Sequence, residues 1–222
     1  MASDLPRRFA RRAPSKVHPD RFVDIRVTDM NAGDALWWDR KFGPSHAQDR
    51  RRADRFWAWS VLLPMCHLIQ LAKRRYCRPL VIWTRADNRR FVRAGMSILI
   101  DDYPHLDIAD PSQSDFVWFI SAGDSGVLTK EFGVSDPPSL GRVLLDCAVV
   151  VSENAGFGGR IGLHAAPQGG QRLLDFYVKC GLTNLPKAAG LPPSVTRRND
   201  GRFFFAGAAA AAGLAALLDA DR

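Results

Sequence analysis

Residues 137–182 read PPSLGRVLLDCAVVVSENAGFGGRIGLHAAPQGGQRLLDFYVKCGL, and this stretch decides the fold. In its first part Leu140, Val143, Leu144, Cys147, Ala148 and Val151 recur at three- and four-residue spacing, with Arg142, Asp146 and Glu153 in the gaps. The spacing predicts an amphipathic helix. Pro137 and Pro138 sit where a helix can begin, Ser139 is the expected cap and Gly156 the expected stop, since glycine takes up φ > 0 without a steric penalty. Gly159–His164 then reads as a short buried strand, with Ile161 and Leu163 on one face and Gly162 and His164 on the other. A compact second helix follows, on which Leu173, Phe176, Tyr177 and Cys180 share a face, ended by Gly181.

The start of the first helix has a chemical use. Its first N–H groups lack partners within the helix and carry the positive end of the dipole. With Ser139 as cap, the amides of Leu140, Gly141, Arg142 and Val143 can cradle an anion; Gly141 permits close approach and Arg142 adds a charged donor. The same residues also read as an ordinary capped core helix.

Helix, strand and a second helix carrying Phe176-Tyr177-Val178-Lys179-Cys180-Gly181-Leu182 together resemble the GNAT superfamily of acyl-CoA-dependent N-acetyltransferases. More narrowly, GFGGRIGLHAAP followed by DFYVKCGL is similar to a bacterial subgroup with a Gly-Arg-Ile-Gly-Leu-His strand before the Phe-Tyr helix. The resemblance covers about residues 137–185 and is topological elsewhere. It implies an α/β (α+β) fold with a mixed, mostly antiparallel central sheet flanked by helices. It also implies acetyl-CoA as co-substrate, direct transfer of its acetyl group to an amine acceptor, and Tyr177 as the acid that protonates the leaving thiolate. The diphosphate would lie at Ser139, Leu140, Gly141, Arg142 and Val143. The pantetheine arm would pair with the strand end at Ile120, Ser121 and Ala122, where a backbone N–H can bind the oxyanion. Asp115 is the carboxylate nearest the family's base position, with His164 as the alternative because its ordinary pKa lies near neutrality. Of the family loop Arg/Gln-x-x-Gly-x-Gly/Ala, only Gly141 agrees; Asp136 and Ser139 hold the other two places.

The 222 residues are 46% hydrophobic and 24% charged, which fits one globular domain. The expected division is a basic disordered tail over 1–20, an acetyltransferase domain over 21–207 and an Ala-rich C-terminal helix over 208–222. A formal net charge of +8 favours an anionic partner, whether cofactor phosphates, an acidic surface or RNA. Cys66, Cys77, Cys147 and Cys180 lack metal-ligand spacing and read as free buried thiols of a reducing, cytoplasmic compartment. The longest apolar run, Phe203–Leu218, is too short and too interrupted to span a membrane.

Elsewhere, Phe22, Ile25 and Val27 mark a first strand. A long helical stretch is expected from about Ala47, in which Trp57, Val61, Met65, Leu68 and Leu71 keep a helical period to Arg75 and Pro64 introduces a kink. Trp57 and Trp59 read as core, or as lining of the acceptor pocket. Leu80–Trp83 and Phe91–Ile100 predict a hairpin, Asp101, Asp102, Asp107 and Asp110 a solvated acidic loop, and Phe116–Ile120 a buried strand. Arg202–Ala206 reads as the last strand, and 184–200 as a long loop near the acceptor entrance.

Three functions fit these residues: an acetyl-CoA-dependent N-acetyltransferase, a GNAT-fold binding or regulatory module that has lost efficient cofactor binding, or an acetylating toxin acting on charged tRNA, for which basicity is the motive. The acceptor and the oligomeric state, a homodimer included, stay open.

Overall fold

A computed structural model describes residues 8–18, 20–73, 76–193, 195 and 198–222. Residues 1–7 of the expected tail, and Arg75, where the expected helical period ends, lie outside them. Among the described residues, eight strands form one sheet in the order β1-β2-β3-β4-β5-β6-β8-β7. They are β1 (Arg12–Pro14), β2 (Phe22–Asp29), β3 (Cys77–Arg85), β4 (Phe91–Pro104), β5 (Gln113–Ala122), β6 (Ile161–His164), β7 (Thr183–Asn184) and β8 (Phe203–Ala206). Every neighbouring pair is antiparallel except β5 and β6, so the sheet is mixed and mostly antiparallel, as expected.

The helices are α1 (Ala32–Lys41), α2 (Gly43–Gln48), α3 (Trp59–Lys73), α4 (Ser125–Phe132), α5 (Leu140–Asn154), α6 (Gly170–Lys179) and α7 (Ala208–Ala216). α5 crosses β4 and β5 with Val143, Leu144, Leu145, Cys147 and Ala148 buried. Gly95 in β4 allows this approach: a Cβ there would meet Leu140 Cδ1 at 3.2 Å. Both expected helix stops hold, for Gly156 and Gly181 take φ of 86° and 85° just past α5 and α6.

Three expectations change, and one helix is added. The single long helix from Ala47 is two helices joined by a turn, and α3 begins at Trp59 because the Asp39 carboxylate of α1 accepts its first N–H groups, Trp59 N at 2.8 Å and Ser60 N at 2.8 Å. The acidic stretch is not all loop: β4 runs on to Pro104 and buries Asp101. Arg12–Pro14, inside the expected disordered tail, is strand β1; Ala10 and Ala13 are buried, and Arg11 N donates to Asp221 O at 2.6 Å. Finally, helix α4 intervenes between β5 and α5, capped by Asp124 through Val127 N at 3.0 Å.

Candidate active site

The site originates in a mismatch of strand lengths. β6 has four residues and pairs with β5 only at Asp115, Phe116 and Val117, whereas β5 continues to Ala122 with β4 still beside it. Beyond Val117 the two parallel strands part. The edge of β5 from Trp118 to Ala122 that faces β6 is left outside that ladder, and such an edge can pair with an extended ligand.

Three adjoining cavities follow this opening. The central one, about 220 Å³, is lined by Asp54, Trp57, Ile120, Ala122, Gly141, Phe176 and Tyr177 among others. An aromatic compartment of about 490 Å³ shares Trp57, Trp118, His164 and Ala166 with it and adds Phe119, Arg198 and Asp200. A basic compartment of about 450 Å³ shares Arg52, Ala53, Leu173 and Phe176 with the central one and adds Lys16, Arg51 and Arg172, with Asp49 and Asp124 at its wall. Charge therefore changes along one groove from cationic, through apolar, to aromatic with a His-Asp pair.

Arg52 stands between the basic and central compartments and is held in place before any ligand arrives. Its Nε and Nη2 donate to the two Asp54 carboxylate oxygens at 2.9 and 2.7 Å, and Nη2 also donates to Ala122 O at 2.5 Å. The Ser121 hydroxyl donates to Asp54 as well, and His46 Nδ1 lies 3.6 Å from it. Burial acts to raise the Asp54 pKa, but the hydrogen bonds and charge of Arg52, with help from His46 and Ser121, outweigh it and hold the carboxyl below its ordinary range. His46, buried, is lowered to about 4 and stays neutral.

Tyr177 lies on α6 at 4% exposure, its ring 5.4 Å from Phe176 and 5.4 Å from Phe204, and borders the central cavity. Burial first, then the charges of Cys180 and Asp54, push its phenol pKa up, so it keeps its proton at neutral pH. Across the groove His164 Nε2 lies 3.1 Å from both Asp200 oxygens. A carboxylate so placed fixes the orientation of the imidazole.

The sequence-expected residues divide. Ile120, Ala122, Gly141 and Tyr177 line the central cavity, and Ser121, 2% exposed, supports it through Asp54. At the start of α5, where the amide cradle was expected, the chain itself makes several contacts. Ser139 N donates to Pro14 O at 2.7 Å, Lys16 N donates to Pro137 O at 2.9 Å, and the Ser139 hydroxyl caps nothing. The Asp136 carboxylate accepts from the Ser15 hydroxyl. Phe176 lies directly on Gly141, where a Cβ would meet its Cζ at 2.7 Å. Leu140 and Val143 are core, and Arg142 turns to the Cys180 thiol. The residues around the end of β1 thus pair with Pro137 and Ser139, just ahead of the helix, and Phe176 packs on Gly141.

Asp115 is corrected. It is fully buried at the paired end of β5, outside the three cavities, with its carboxyl against that of Asp101. Burial, then the Asp101 charge, pushes its pKa from 3.8 up to about 8. Between those two values the folded chain holds a proton that the unfolded chain has released, so stability falls as pH rises through that window. We expect the urea midpoint of the wild type to decline from pH 5 to pH 8 and that of Asp115→Asn to decline less; parallel slopes would refute this.

Of the tryptophan pair, Trp59 is core at 1% exposure, while Trp57 lines the groove. Arg52, Asp54 and Asp200 were missed. The dense charge of DRRRADR at 49–55, just ahead of an aromatic helix, was the signal available for the first two.

No family model and no curated protein matches this chain. Among solved structures, a mutant of the toxin AtaT bound to the C-terminus of the antitoxin AtaR and acetyl-CoA matches over 86% of this chain and 97% of its own, with 14% identity and a TM-score of 0.50. The chain has the GNAT fold. A spermidine N-acetyltransferase from Vibrio cholerae, in complex with CoA and spermine, matches over 85% of this chain and 98% of its own at 12% identity and a TM-score of 0.47.

Proposed function

We propose that this chain is an N-acetyltransferase that moves the acetyl group of acetyl-CoA to an amine by direct attack. The observation that carries the reading is the open edge of β5 at Trp118–Ala122 with Tyr177 on the facing wall. The pantetheine arm pairs with that edge, and a backbone N–H near Ile120 receives the oxyanion as the tetrahedral centre forms. Tyr177 donates its proton to the sulfur as the C–S bond breaks. The amine arrives from the aromatic compartment and gives its proton to His164, which Asp200 orients. His164 takes the base role because Asp115 lies outside the groove. AtaT, which shares the fold, binds acetyl-CoA.

The anionic end of the cofactor lies in the basic compartment, held by Lys16, Arg51, Arg52 and Arg172 in place of the α5 amides. Calorimetric titration with acetyl-CoA tests this. Micromolar binding is expected, weakened about tenfold by Arg172→Glu, which removes one phosphate contact worth roughly 1–2 kcal/mol, and unchanged by Arg142→Glu. Absence of heat from acetyl-CoA would favour the second reading, a binding module on the same fold, which the chain's own contacts at the start of α5 support.

A further inference from the structure

The aromatic compartment offers an acceptor more than room for an amine. Its volume of about 490 Å³ is that of a small-molecule site, for which roughly 300–1,000 Å³ is usual. Trp57, Phe119 and Trp118 make a continuous wall of rings: Trp57 stands edge-on to Phe119 at 4.8 Å and 82°, and Trp118 meets Phe119 at 4.7 Å. All three are half-buried, so the chain covers their rings only in part. A wall of this kind takes a flat apolar group, above all another aromatic ring, in edge-to-face or offset contact.

Two charged side chains, Arg198 and Asp200, share this compartment with His164. Asp200 is already committed: both its oxygens lie 3.1 Å from His164 Nε2, and Oδ1 also accepts from Arg202 N at 3.0 Å. Arg198 is not. It is exposed, and among the described residues no carboxylate pairs with it. An acceptor that enters therefore meets an unmatched guanidinium in the same cavity as the ring wall and the imidazole. A guanidinium presents a planar fork of donors that matches a carboxylate and holds it by two charge-assisted hydrogen bonds. A polyamine would bring further cations to a lining whose carboxylate is taken. A peptide or an aminoacyl ester would offer Arg198 only a neutral carbonyl.

Resting on the acetyl-transfer reading above, we propose that the acceptor is a free α-amino acid with an aromatic side chain. Its ring lies against Trp57, Trp118 and Phe119, its carboxylate on Arg198 and its amine at His164. In the transfer step the unprotonated amine nitrogen bonds to the acetyl carbon and the C–S bond breaks. One N–H proton passes to His164 and the Tyr177 proton to the sulfur, which gives an N-acetylated amino acid and the CoA thiol. The imidazolium and the phenolate then exchange one proton through solvent, and both groups are reset. Arg198 touches none of the reacting atoms; it determines specificity by requiring a carboxylate beside the amine.

Calorimetric titration of the full chain with L-phenylalanine, L-phenylalaninamide, L-alanine and spermidine, in the absence of acetyl-CoA, tests the site. L-Phenylalanine should bind about tenfold tighter than its amide, which lacks the charge-assisted bonds, and tighter than L-alanine or spermidine. In Arg198→Ala, whose circular dichroism should match wild type because the position is exposed, the ratio of acid to amide affinity should fall towards one. Equal affinity for acid and amide in the wild type, a ratio unchanged in Arg198→Ala, or tighter binding of spermidine or of the amide would overturn the assignment. Release of CoA from acetyl-CoA with each amine in turn separates this inference from the reading beneath it. Release with spermidine or the amide but not with L-phenylalanine overturns the acceptor alone. No release with any amine, L-phenylalanine bound or not, removes acetyl transfer and the acceptor role with it.

Discussion

Replacing Tyr177 with Phe should lower kcat for acetyl transfer by about 100-fold, with acetyl-CoA affinity within twofold of wild type. General acid catalysis by a positioned side chain contributes roughly 10²–10⁴ in rate, and the substitution removes one oxygen while leaving the ring against Phe176 and Phe204. The phenol is buried on the wall of the central cavity and its pKa is raised, so it is protonated when the thiolate forms. The readouts are steady-state thioester cleavage and calorimetry on the same preparation. Equal kcat in both proteins would remove Tyr177 from the mechanism; loss of binding in the variant would make it a packing residue. In the same assay His164→Gln should abolish the rising limb of the pH–rate profile, because the group that must lose a proton to act as base is gone.

The largest effect on stability is expected at the other end of the chain, from Arg222→Met. Asp146 is 0% exposed in the middle of α5, and Arg222 Nη2 donates to it at 2.5 Å, with Nη1 at 3.2 Å from the second oxygen. The same guanidinium donates to Arg8 O at 2.7 Å and Ala215 O at 3.2 Å, so one side chain joins both ends of the described chain to α5. Withdrawing one partner of a buried ion pair leaves the other's desolvation uncompensated, which costs about 3–5 kcal/mol. The urea midpoint should drop accordingly, while the paired change Asp146→Leu with Arg222→Met should recover most of the loss. A midpoint equal to wild type in Arg222→Met alone would show that the pair does not matter.

What was legible in the sequence was what depends on neighbours along the chain. α5 and α6 came from apolar periodicity, their ends from Gly156 and Gly181, and β2, β3, β5, β6 and β8 from short apolar runs. That Tyr177 borders the central cavity agrees with its place in the Phe-Tyr-x-x-x-Gly helix end. What was not legible depends on partners far away in sequence. Nothing local marks Arg12–Pro14 as a strand, because its ladder is supplied by Phe22–Asp24. Nothing local excludes Asp115 either; its distance from the groove is set by where β6 parts from β5, just past Val117.

The sequence by itself determined the order of elements and the helix that carries the phenol, since periodicity and caps are properties of contiguous residues. The tertiary structure alone decided that Phe176 packs on Gly141 and that Ser139 N donates to Pro14 O ahead of α5, that Arg52 is fixed by Asp54 at the end of β5, and that the apolar stripe of α3 faces outward. Each of those depends on the close approach of segments dozens of residues apart. A helical repeat states which residues share a face, but only packing states what that face meets.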